Sequence, residues 1–131
     1  NCGFINGQKF TTRNAMPDGF TPVDFDITYD CGDTSKIKNS LQMRIDGTTG
    51  VVDQYNLVAR RRSSDNVPDV GIRIENLGGG VANIPFQNGI LPVDPSGHGT
   101  INMRAWPVNL VGGELETGKF QGTATITVIV R

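Results

Sequence analysis

The one histidine of the chain, His98, stands in "PSGHGT", flanked by two glycines. A histidine that works as a general base needs a nucleophile on one side and an orienting carboxylate on the other. No such pair stands in recognisable context, and a lone His among turn formers reads as a solvated loop residue. "NLGGG" at 76–80 suggests a phosphate cradle at first sight. Such cradles run from strand to loop to helix N-terminus, so that backbone N–H groups and the helix dipole meet the anion. Here both flanks read as strand, so a flexible hairpin is expected. "ARRRSS" at 59–64 offers three guanidiniums to an acidic partner, yet charge on a strand edge is also a common guard against aggregation.

Trp106, just before Pro107, reads as a packed or rim aromatic, with a sugar-stacking platform as the functional alternative. Asp24, Asp26 and Asp30 share one face of one strand. Calcium needs six to eight oxygens converging from loops, which a single straight strand does not supply. Two cysteines and one histidine cannot by themselves complete a four-ligand zinc site. No enzymatic constellation, metal site or cofactor motif is expected.

The elements that would carry these residues are strands. "VDFDITYDC" places Val23, Phe25, Ile27, Tyr29 and Cys31 on one face and acids on the other. That is the period-2 signature of a half-buried strand. The same alternation puts Leu41, Met43 and Ile45 inward in "LQMRID" and Val70, Ile72 and Ile74 inward in "VGIRIENL". Ile101, Met103 and Ala105 follow in "INMRAW". At the end of the chain Phe120, Ala124, Ile126, Val128 and Val130 share a face opposite Gln121, Thr123, Thr125 and Thr127. "CGFI" and "YNLVA" are shorter candidates, and only "DTSKIKNS" (33–40) suggests a helical turn. Glycine (17) and proline (7) cluster between the apolar runs as "DGTTG", "NLGGG", "QNG" and "DPSGHG", which is turn punctuation for many short strands. An all-β sandwich or barrel of the immunoglobulin-like kind is expected, with residues 1–131 as one domain.

At 131 residues and a formal charge of −1, the chain has room for one real core and no electrostatic case for nucleic acid or an anionic membrane. The longest apolar runs, such as "VIV", are too short to insert in a bilayer as helices. The opening "NCGF" reads as the start of a mature or trimmed piece. Cys2 and Cys31 sit at ends of expected strands. The two readings are separate buried thiols and a disulfide, and the disulfide is the one adopted. Closing a loop of about 30 residues would stabilise the fold by about 3.6 kcal/mol in the chain-entropy account and points to an oxidising compartment.

One combination is more specific than any single motif. A cysteine opens the first strand, a second closes an alternating strand, "VGIRI" follows mid-chain, and the chain ends in "GKFQGTATITVIVR". This resembles subunits of Gram-negative chaperone–usher pili, the broad family of type 1 and P fimbriae. The family's signature glycine, fourteenth from the C-terminus, matches Gly118. Two positions depart from the pattern: Val130 stands where the family has tyrosine, and only Asn1 precedes the first cysteine. The chain is therefore expected to be the pilin domain of a tip adhesin or an N-terminally trimmed minor pilin.

The resemblance implies an incomplete immunoglobulin-like sandwich lacking its seventh strand. A donor strand comes first from a periplasmic chaperone, then, at the usher, from the next subunit. It implies a donor-strand groove walled by Phe120, Ala124, Ile126, Val128 and Val130, facing Phe4. It also implies a chaperone anchor at the Arg131 carboxylate, no catalysis, no membrane insertion, and a route through the periplasm to the cell surface. The competing expectation is a self-contained carbohydrate- or protein-binding sandwich that uses Trp106 and the loops near His98.

Overall fold

A computed structural model describes residues 3–4, 9–15, 21–32, 41–79, 82–116 and 118–130, with only the backbone course for 3–4, 9–15 and 130. Among these residues the strands are β1 (Gly3–Phe4), β2 (Lys9–Ala15), β3 (Val23–Asp30), β4 (Leu41–Gly47), β5 (Val51–Asp53) and β6 (Asn56–Arg61). They continue with β7 (Pro68–Asn76), β8 (Asn83–Ile84), β9 (Gly89–Leu91), β10 (His98–Asn109) and β11 (Lys119–Val130). They form two antiparallel sheets. The larger runs β1-β3-β10-β7-β6-β5, with β8 also paired to β7, and the smaller runs β2-β11-β4-β9.

The expected inward faces are the ones that make the core. Met43, Ile45, Val70 and Ile72 are fully buried, as are Met103 and Ala105. Phe120, Ala124 and Ile126 of β11 join the same cluster. The two sheets interlock around Leu57 of β6. A Cβ on Gly47 of β4 would stand 2.6 Å from one Leu57 methyl, and one on Gly122 of β11 would stand 2.7 Å from the other. Glycine at both positions lets a large side chain of one sheet reach the backbone of the other, as close-packed sandwiches require.

Several elements differ from expectation for clear reasons. β10 begins at His98, which pairs with Asp30, so this histidine opens a strand and does not sit in a free loop. It also runs on through Pro107. Pairing with β3 ends at Ala105, so at Pro107 the strand is flanked by β7 alone, where a missing N–H is tolerated. β2, β5, β8 and β9 were not foreseen. Strands this short are defined by their neighbours more than by their own side chains. "DTSKIKNS" (33–40) lies outside the described residues. The 76–80 segment does join two antiparallel strands, β7 and β8, although Gly80 itself is outside the described set.

The three arginines of "ARRRSS" have separate fates. Arg60 forms a bidentate pair with Asp69, Nε at 3.0 Å and Nη2 at 2.6 Å, with side-chain exposures of only 13% and 1%. Its Nη1 donates to the Glu116 carbonyl at 3.0 Å, which ties the β10–β11 connection to β6. Arg62 pairs with exposed Asp65, and exposed Arg61 donates to the Asn66 carbonyl. The reading of a solvated edge therefore fits Arg61 and Arg62 and fails for Arg60.

Candidate functional site

β11 is held differently along its two halves. Lys119–Thr125 pairs with Ala15–Lys9 of β2, whereas Ala124–Val130 pairs with Gly47–Leu41 of β4 on the opposite flank. The halves overlap only at Ala124 and Thr125. On the flank that β2 occupies, no strand among the described residues pairs with residues 126–130. Among the described residues, the part of the last strand left unpaired on this flank is its C-terminal half, and β2 covers the rest.

Side-chain burial follows the same division. Phe120, Ala124 and Ile126 are 4%, 0% and 5% exposed within the chain's own core, so they are already sealed. Val128 is only half-buried and lies with Phe25, Leu41 and Val93 at the margin of the cluster. The backbone of Val130 continues the ladder, opposite Leu41. Phe4 belongs to β1 in the other sheet, opposite Tyr29. The side chains of Phe4 and Val130 lie outside the described residues, as do Cys2 and Arg131 in full. The groove-facing contact between Phe4 and the last strand therefore stays an expectation. Cys31 is buried at the end of β3, and no free cysteine occurs among the described residues. Gly118 precedes β11 with φ +140, a left-handed backbone that side-chain-bearing residues rarely adopt.

The polar candidates are dispersed. Asp24 accepts two hydrogen bonds from Arg104, at 2.6 and 3.1 Å, and Arg104 also stands 5.9 Å from the centre of the Trp106 ring. Trp106 is 40% exposed on the outer face of the larger sheet. His98 is exposed, and its carbonyl accepts from the Ser96 hydroxyl at 3.1 Å. Among the described residues no three His, Cys, Asp or Glu side chains converge on a point that could hold a metal.

Four carboxyls sit below their ordinary range. Arg104 lowers Asp24, the Asn56 side chain and Tyr55 N–H lower Asp53, Arg62 lowers Asp65, and the Ser96 N–H lowers Asp94. Each is more acidic folded than unfolded. The stability they lend is complete above the ordinary value of about 3.9 and fades as pH falls through the lowered ones. All four are exposed and screened, so a gradual decline is expected. Melting temperature followed from about pH 5 to about pH 2 should fall smoothly, and high salt should blunt the part due to the two arginine pairs.

The described residues form an all-β sandwich of two antiparallel sheets, with a terminal strand paired half on each flank. The Fimbrial protein family matches residues 1–131, and the chain belongs to that family of structural, non-enzymatic surface-fimbria proteins. It is 98% identical over 131 residues to the fimbrial-like protein YraK of Escherichia coli K12 and spans 36% of that relative's length. It is 25% identical over 126 residues to the fimbrial-like protein YfcR of the same organism, covering 95% of this chain and 70% of that one. The crystal structure of Burkholderia pseudomallei antigen and type I fimbria protein BPSL1626 superposes with a TM-score of 0.54 at 14% identity, covering 98% of each chain. That last likeness concerns the fold.

Proposed function

We propose that this chain is a strand-accepting subunit of a chaperone–usher fimbria, with the pilin domain of a tip adhesin preferred to a trimmed minor pilin. The observation that carries the proposal is the flank of residues 126–130, open among the described residues, beside a Val128 that the chain covers only by half. A strand laid along that flank gains main-chain hydrogen bonds whatever its sequence. Its alternate side chains reach the margin of the core and supply selectivity. This is strand addition, of which chaperone–pilin complementation is an established example. Each large apolar side chain so buried contributes about 1.5–3 kcal/mol.

In this reading a periplasmic chaperone fills the edge first and grips the Arg131 carboxylate. The usher then passes the subunit to a neighbour that supplies the lasting strand. The Cys2–Cys31 bridge, the Phe4 and Val130 contributions and the missing seventh strand belong to the same proposal.

The test is a donor peptide of alternating hydrophobics bound to the protein and to Val128→Asp. A charge placed in an apolar contact should weaken binding by at least about tenfold. Ile126→Asp is a poorer probe, since Ile126 is sealed inside the chain's own core and the change would damage the fold itself. Unchanged peptide affinity in Val128→Asp would remove the edge from consideration. So would equal yields of stable monomer with and without a co-expressed chaperone.

A further inference from the structure

We propose that a cavity at the Tyr29 end of the sandwich binds a small neutral hydroxylated ring, of the monosaccharide class. It is a half-open cleft of about 530 Å³, a volume within the range that small-molecule sites occupy. Four segments meet there: the end of β3 with Tyr29, the end of β7 with Asn76, the strap carrying Val93 and Asp94, and β10 with Ile101 and Asn102. None of them belongs to β11, so this inference does not rest on strand acceptance.

The deep groups are donors. Tyr29 is 3% exposed, and its hydroxyl oxygen accepts the Asp94 N–H at 2.7 Å. The hydroxyl's own proton has no acceptor among the described residues, and a buried O–H left without one is costly. Asn76 is 7% exposed. Its Oδ1 accepts from the Gly78 N–H at 2.9 Å and its Nδ2 donates to the Gly79 carbonyl at 3.0 Å, and among the described residues the second amide hydrogen has no acceptor.

Groups nearer the mouth supply acceptors and an apolar wall. Asp94, exposed at the rim, offers its carboxylate, while Val93 and Ile101 offer hydrocarbon. No lysine or arginine lines the cavity, and Asp94 stays ionised beside the Ser96 N–H, so an anion would be repelled. A ligand with oxygens for Tyr29 and Asn76, a hydroxyl for Asp94, and a C–H face for Val93 and Ile101 fits this set. A sugar ring has all three.

The experiment is an amide NMR titration of the soluble protein, with a donor strand bound where solubility requires it. The probes are the methyl glycosides of glucose, galactose, mannose and N-acetylglucosamine, with glucuronate as the anionic control. Saturable shifts at Tyr29, Gly78, Val93 and Asn102 are expected with at least one neutral glycoside and none with glucuronate. Asp94→Ala, a change at an exposed side chain, should weaken binding by about tenfold, while Trp106→Ala should leave it unchanged. Tyr29→Phe gives a second reading of the hydroxyl, provided the remaining spectrum keeps its dispersion. No saturable shift at these amides with any neutral glycoside, equal binding of glucuronate, or shifts centred on Trp106 would each overturn the assignment. These local readouts are separate from donor-peptide binding, so either proposal can fail alone.

Discussion

Asp69→Ala should lower unfolding free energy by about 3–5 kcal/mol, one of the two largest single-site losses expected in this protein. The carboxylate is 1% exposed and takes two hydrogen bonds from Arg60, itself mostly shielded. Removing it leaves a mostly shielded guanidinium without its ion-pair partner. The same guanidinium holds the Glu116 carbonyl, so the connection leading into β11 should lose its anchor and exchange its amides faster. Denaturant unfolding measures the first effect and hydrogen exchange the second. The double change Arg60→Met with Asp69→Leu should recover most of the loss, because an apolar pair of similar volume has no desolvation penalty to offset. An Asp69→Ala protein within about 1 kcal/mol of the parent would mean that the pair is solvated in solution, as exposed ion pairs are.

Phe86→Ala should cost a similar amount, about 3–5 kcal/mol, by lost burial and the cavity left behind. The ring is 1% exposed in the core cluster. The site cannot relax easily, because the Phe86 N–H donates to the Gln54 carbonyl at 2.6 Å and its own carbonyl accepts from Gly47 at 2.8 Å. Phe86→Leu should recover part of the loss by refilling the space. Parallel urea unfolding of the three proteins is the measurement. Since a whole domain is stable by only about 5–15 kcal/mol, either alanine variant should also reduce the soluble yield.

Neither residue announces itself in the sequence, and the reason is physical. Alternation reveals which side chains of a strand share a face, and for Ile27, Met43, Ile72, Met103 and Ile126 that was enough to locate the core. Asp69 is out of phase with Val70 and Ile72 and so reads as outward and wet. Its burial depends on Arg60 from β6 and on Leu110, whose N–H donates to the Asp69 carbonyl at 2.9 Å. Phe86 lies in "IPFQNG", where no period exists to betray an inward direction. Tyr29 was legible as inward, but the cavity beside it is made by the 76–79 turn and the 92–94 strap, which meet only in the folded chain.

The last strand divides the same way. Its inward face was legible from Phe120 to Val128, whereas the identity of its neighbours was not. Strand order is fixed by loop lengths and by competition among all the edges, and β2, with little apolar alternation, gave no sign that it would occupy half of one. Gly118, which the resemblance marks, has a φ of +140, a backbone that suits glycine and that alternation gives no means of reading.

The split attachment of β11 has a mechanical meaning. With β2 on one flank of its first half and β4 on the other flank of its second, the strand crosses the smaller sheet as a diagonal splice. Tension applied along it pulls both ladders in shear, so many bonds share the load at once. Peeling a hairpin from its tip would break them one by one. The Ala124–Thr125 overlap, paired on both flanks, is the short stretch where the pull passes from one neighbour to the other.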